Sequence, residues 1–152
     1  RIIMGYLGLL HLDGGTLDVA RRCLNAAVDL SRAVGDCHTE GIFEAFRGAV
    51  LASDDQVGPA HSSFARAADR LADNSYYLEV VDLFRCHLEL AHARAAATGG
   101  YAAEAAGHVN RVLRRIHAAE HTETGRSLVA RSDDARIGVR TLRRALADNL
   151  AG

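Results

Sequence analysis

A chain of 152 residues, 49% of them hydrophobic, is long enough for one domain with a real core and too apolar to be disordered. One proline and few β-branched runs leave little material for a sheet, and a formal net charge of −1 excludes a generally basic surface of the kind polyanions need. Three cysteines (Cys23, Cys37, Cys86) without a CxxC pair exclude a complete disulfide framework or a zinc knuckle and fit a reducing cytoplasm.

The basic residues are all arginine, a mark of a GC-rich genome rather than of function. The chain starts at Arg1 with a helical pattern already under way, so a fragment of a longer protein is expected. Its apolar start, from Ile2 to Leu12, is too short to span a bilayer, and no signal peptide is visible.

After that first pattern, Gly14-Gly15 breaks the helix. Leu17, Ala20, Leu24, Ala27 and Val28 then form one helical stripe that Gly35-Asp36 ends, with Asp36 placed to cap the next helix, from about Cys37 to Ala52. Asp54-Asp55 turns the chain. Pro59 falls in the first turn of a fourth helix, where its missing N–H costs nothing, and that helix stops near Asp73-Asn74. Ser75 is read as the cap of a long fifth helix closed by Thr98-Gly99-Gly100. A sixth runs from Tyr101 to about Glu120, residues 121–131 read as a linker, and Ser132 caps a last helix that runs to about Asn149, with Asp133 and Asp134 where the helix dipole favours carboxylates. Leu142, Leu146 and Leu150 share one side of it.

Three turn-to-helix junctions are alike: Gly15-Thr16-Leu17-Asp18-Val19-Ala20, Asp55-Gln56-Val57-Gly58-Pro59-Ala60 and Gly100-Tyr101-Ala102-Ala103-Glu104-Ala105. Each is followed by apolar or small residues four and seven positions on: Leu24 and Ala27, Phe64 and Ala67, Val109 and Val112. Upstream, Leu7-Gly8 matches Arg47-Gly48, and His92-Ala93 stands at the third such place. The spacings are 40 and 45 residues.

This pattern resembles the tetratricopeptide (TPR) repeat, in which a large-then-small pair, a glycine turn and a small-then-bulky stripe join two antiparallel helices. Its period looks like that of the longer repeats in large bacterial regulators, including signalling ATPases and kinases with helical-repeat tails. The run Arg131-Ser132-Asp133-Asp134-Ala135-Arg136-Ile137 looks like the end of such an array. The resemblance implies an all-α array of about three hairpins over residues 1–120, a linker at 121–131 and a C-terminal capping helix at 132–150. It also implies that the first helix of each pair lines a concave face, which makes Leu9, Leu12, Asp13, Ala49, Ala52, Ser53, His87, Leu90 and Arg94 the candidate lining. The family's carboxylate clamp needs several basic or amide groups there, and Arg94 alone qualifies.

Three readings compete. The leading one is a non-enzymatic protein-interaction or scaffold segment of a cytoplasmic bacterial regulator, with a protein or peptide partner and with further repeats and an effector domain elsewhere in the parent chain. No cofactor, metal or membrane is expected. The second rests on His117-Ala118-Ala119-Glu120-His121, an H-x-x-E-H match. There His117 and His121 could grip zinc and Glu120 act as base, but only Glu123, Asp133 or Asp134 could serve as a third ligand. The third is a nucleic-acid contact through Arg136, Arg140, Arg143 and Arg144. Residues 1–110 carry 9 arginines against 14 acids (−5) and residues 111–144 carry 9 against 4 (+5), yet no aromatics interleave with the basic stripe.

Overall fold

Four glycine or aspartate turns set the geometry. In the computed structural model, which describes residues 1–151, the helices are α1 (Ile2–Gly14), α2 (Leu17–Ala33), α3 (Cys37–Ser53), α4 (Val57–Arg70), α5 (Ser75–Thr98), α6 (Ala102–Glu120), α7 (Leu128–Arg131) and α8 (Asp133–Ala151), with no strand among the described residues. Helix ends α1, α2, α3 and α5 close with the same pair of bonds. The N–H of Thr16, Asp36, Gln56 and Tyr101 reaches the carbonyl of His11, Ser31, Leu51 and Ala96 at 2.8–2.9 Å, and the preceding N–H reaches the carbonyl three residues back at 3.1 Å. This double closure requires a left-handed residue, supplied by Gly15, Gly35 and Gly100 (φ 79°, 71° and 82°) and by Asp55 (φ 56°). Aspartate is one of the few residues that tolerate this region. The Asp55 turn is clamped from α5: Arg94 donates to Asp55 Oδ1 at 2.7 and 2.9 Å and to the Ala52 carbonyl at 2.9 Å.

Turns this short fold α1 on α2, α3 on α4 and α5 on α6, and these pairs pack in sequence, α2 on α3 and α4 on α5. α1 also touches α3 and α3 touches α5, so that the three form a row with α3 in the middle. Small residues let the backbones close. A Cβ at Gly8 would lie 2.5 Å from Leu24 Cγ, and one at Gly48 would lie 2.9 Å from the Phe64 ring. Gly5 is a notch for Phe43, whose ring a Cβ would meet at 2.1 Å. Gly5→Ala would gain about 1 kcal/mol of helix propensity in an open site. Here the clash wins, and we expect a net loss of about 1–3 kcal/mol in urea unfolding.

The core runs along the row. Phe43, Phe46, Phe64 and Phe84 are buried, Phe46 and Phe84 lie 4.9 Å apart, and Tyr6 meets Phe43 and Phe46 edge-on at 6.1 Å. α8 packs on α5, α1 and α6, pressing Gly138 against Phe84 and Leu83 and burying Ala135, Val139, Leu142 and Leu146.

Several boundaries differ from the sequence reading. Asn74, not Ser75, caps α5 by accepting from the Tyr77 N–H at 3.2 Å, because the aspartate-like carbonyl one residue earlier already has the required geometry. α4 ends at Arg70, short of Asp73-Asn74. The stretch 121–131 contains the one-turn α7, capped by Ser127 and anchored by buried Leu128. Ser132 caps α8 as expected, accepting from Ala135 N–H at 3.1 Å, whereas Leu150 lies beyond the seat of α8 and is 79% exposed. Among the described residues, no helix is long and apolar enough to cross a membrane.

Candidate interaction faces

The candidate lining residues lie on the α1, α3 and α5 row, and four of them, Leu12, Ser53, His87 and Arg94, edge one cavity. Leu9, Leu12, Ala49, Ala52, His87 and Leu90 are buried there, and Asp13, Ser53 and Arg94 are half-buried. What covers much of this row is the chain itself. Asp13 accepts from Arg140 of α8 at 2.7 and 2.9 Å, Tyr6 donates to Asp134 at 3.3 Å, and His87 Nε2 lies 3.1 Å from Thr141 Oγ1. Arg94 is occupied by the Asp55 turn. The apolar side of α8 was legible as a periodic stripe; that it lies against α1 as well as α5 depends on contacts some 127 residues apart, which no local pattern encodes.

His87 is the polar centre of that seam. Its Nδ1 lies 3.2 Å from Ser53 Oγ of α3, so the ring ties α5 to α3 on one side and to α8 on the other. Burial, with Arg94 nearby, pushes its pKa down to about 3, so the ring is neutral at pH 7 and has one donor and one acceptor. The hydroxyls of Ser53 and Thr141 also lie 2.8 and 2.9 Å from the helix carbonyls of Ala49 and Gly138. Each hydroxyl has one proton. One of them therefore donates to its carbonyl and accepts from the ring N–H, and the other turns its proton to the bare ring nitrogen. The seam forms the inner wall of a cavity of about 310 Å³, lined by Ser53, His87 and Thr141 and edged by Arg94, Arg144 and Asp148.

The H-x-x-E-H residues are not assembled as a metal centre. The rings of His117 and His121 approach to 4.4 Å, but His121 has left the helix in an extended conformation and Glu120 accepts from Arg143 of α8 at 2.7 Å. Of the third-ligand candidates, Asp133 pairs with Arg136 and Asp134 with Tyr6, while Glu123 is exposed. Among the described residues, no three His, Cys, Asp or Glu side chains are placed to share a metal ion. The arginine stripe is similarly engaged: Arg136, Arg140 and Arg143 pair with Asp133, Asp13 and Glu120.

Three features escaped the sequence reading. Glu44 of α3 is fully buried, and its Oε1 accepts from Arg66 Nε at 2.9 Å, Arg47 Nη2 at 3.1 Å and Arg32 Nη2 at 3.4 Å. Its Oε2 lies 2.9 Å from Arg47 Nη2 without the alignment of a hydrogen bond. Glu40, one turn earlier, pairs with Arg32 and Arg70. Burial holds the Arg47 guanidinium below its ordinary pKa despite Glu44. The matched i, i+4 pairs Glu40/Glu44 and Arg66/Arg70 were visible signals. Second, His61, His92 and His108, without shared spacing, form a row across α4, α5 and α6 with rings 6.0 and 5.4 Å apart; Glu89 lies 2.7 Å from His108 Nδ1.

The third is α1. Ile2, Ile3, Leu7 and Leu10 line its outer side, with Ile3 76% and Leu10 52% exposed. Forty residues on, the counterparts of Ile2, Ile3 and Leu10 are Ile42, Phe43 and Val50, all buried. Comparison with protein families, curated proteins and solved structures finds no match.

Proposed function

We propose that this chain is a TPR-like helical-repeat segment that binds a protein partner and performs no catalysis. The observation that carries this reading is the exposed apolar side of α1. A helix hydrophobic on all sides belongs in an interior, and a contiguous exposed apolar patch marks an interaction site. The internal repeat says what kind of surface fits. In α3 the equivalent side is filled by the first hairpin, with Phe43 in the notch at Gly5 and edge-on to Tyr6. The partner of α1 is then a helical protein surface that offers small residues opposite Ile3 and Leu10. The row face, the first expectation for a concave binding surface, is covered by α8 and plays this part only where α8 is displaced. Scaffolding within a larger regulator agrees with this reading.

A photo-crosslinking residue at position 3 or 10 tests it, with position 126 on the exposed 121–126 segment as control. We expect one protein to be captured from 3 and 10 but not from 126, and its purified form to lose binding at least tenfold on Ile3→Glu/Leu10→Glu with helicity unchanged. No protein captured from the stripe, or binding indifferent to the double change, rejects the reading.

A further inference from the structure

We propose that α8 is a releasable latch over the α1, α3 and α5 row, and that protonation of His87 opens it. This goes beyond the interaction reading and does not depend on what α1 binds.

α8 can move without breaking a hairpin. It is joined to α6 by 121–127, of which 121–126 are exposed, and by the single turn of α7. Its seat is built from small and mid-sized side chains (Ala135, Gly138, Val139, Thr141) with Leu142 and Leu146, and its ion pairs to Asp13 and Glu120 involve arginines about 60% exposed. Such pairs exchange for water at little cost. The contact that does not exchange freely is His87, 1% exposed and held between Ser53 and Thr141 at the inner wall of the cavity.

The surroundings of His87 decide the sign. Its ring nitrogens face hydroxyls, not carboxylates. Of the charged groups around the seam, Arg94 of α5 is held by Asp55 at the end of α3, Asp13 of α1 is held by Arg140 of α8, and Arg144 and Asp148 of α8 stand at the edge of the cavity. An imidazolium would find two hydroxyl acceptors, a gain of a few hydrogen-bond energies at most. It would lose the hydration of a full charge, the larger quantity in a buried site, and gain repulsion from Arg94. With α8 lifted, water reaches the ring and the proton is accepted at the ordinary histidine value. The closed form thus holds a pKa depressed to about 3 against about 6.5 when open. A depressed histidine stabilises the closed form fully above about pH 6.5 and progressively less as pH falls towards 3. One pH unit is a factor of ten, so the opening constant rises about thirtyfold between pH 7.5 and pH 5. Asp134 works in the opposite sense: burial raises its pKa, so its own protonation favours the closed form at lower pH, and the range tested stops at pH 5.

The test is amide hydrogen exchange of the full chain at pH 7.5, 6.5, 5.5 and 5, corrected for intrinsic exchange. Protection in α8 should fall about thirtyfold while α2 and α3 keep theirs, and His87→Gln, a neutral side chain that still donates and accepts, should abolish the dependence. Protection of α8 that stays flat, falls equally in H87Q, or falls together with all other helices overturns the proposal. Should H87Q be open already at pH 7.5, the ring resonances of His87 in the unmodified chain decide: titration that follows loss of α8 protection supports the latch, and titration with α8 still protected overturns it.

Discussion

Phe46→Ala is expected to cost about 4 kcal/mol, the middle of the range for truncating a buried aromatic. Phe46 is fully buried at the middle of α3, where it meets Phe43, Tyr6 of α1 at 6.1 Å and Phe84 of α5 at 4.9 Å. Alanine opens a void bounded by three aromatic rings on three helices. These cannot collapse inward without pulling α1 and α5 together, which α3 itself prevents. Urea unfolding followed by circular dichroism gives the value. Leu113→Ala, on a side chain 49% exposed, should stay near 0.5 kcal/mol under the same conditions. Similar losses at both positions would mean that the aromatic row is not the centre of the fold.

Glu44→Ala is expected to cost about 3 kcal/mol, the low end for breaking a buried ion pair. The low end applies because Arg32 and Arg66 are nearly half exposed and can turn to water, whereas Arg47, with 16% of its side chain exposed, cannot. The loss should therefore be relieved by removing the stranded charge: Glu44→Leu with Arg47→Met should be more stable than Glu44→Ala alone by about 1 kcal/mol or more. If the double change is the less stable, the network contributes through attraction rather than through mutual neutralisation. The same side chains set the spacing of α2, α3 and α4, since one carboxylate is reached by an arginine from each.

Much of the helical fold was legible because local chemistry declares itself locally. Asp36 caps α3 through Thr39 N–H, Ser132 caps α8, and the turns at Gly15, Gly35 and Gly100 use the left-handed residue that ends a helix. Asp55 shows the limit: as a substitute for glycine it weakened the repeat signal, yet its backbone closes the turn in the same way, helped by an arginine 39 residues away. The helices of the α1, α3 and α5 row were also legible, because glycine and aspartate turns bound each of them in the sequence. That α8 packs on that row was not, because a helix with an apolar stripe can dock on any apolar face of suitable size. The charged centre at Glu44 was hidden for a different reason: its arginines come from three helices, at positions 32, 47 and 66, and only the fold brings them to one buried carboxylate.

α8 also changes how the chain comes apart. Hairpins that touch only their neighbours unzip from either end, each losing its own interface. Here Tyr6 bonds to Asp134 and Asp13 to Arg140, contacts that join residues 128 and 127 positions apart and connect the first hairpin to the last helix. The stack becomes a closed ring of contacts, in which fraying at α1 must first detach α8 and loss of α8 loosens α1. Equilibrium unfolding is then more cooperative than in an open stack of equal length. Folding gains a late step, because the longest chain loop closes last and bears the highest entropy cost.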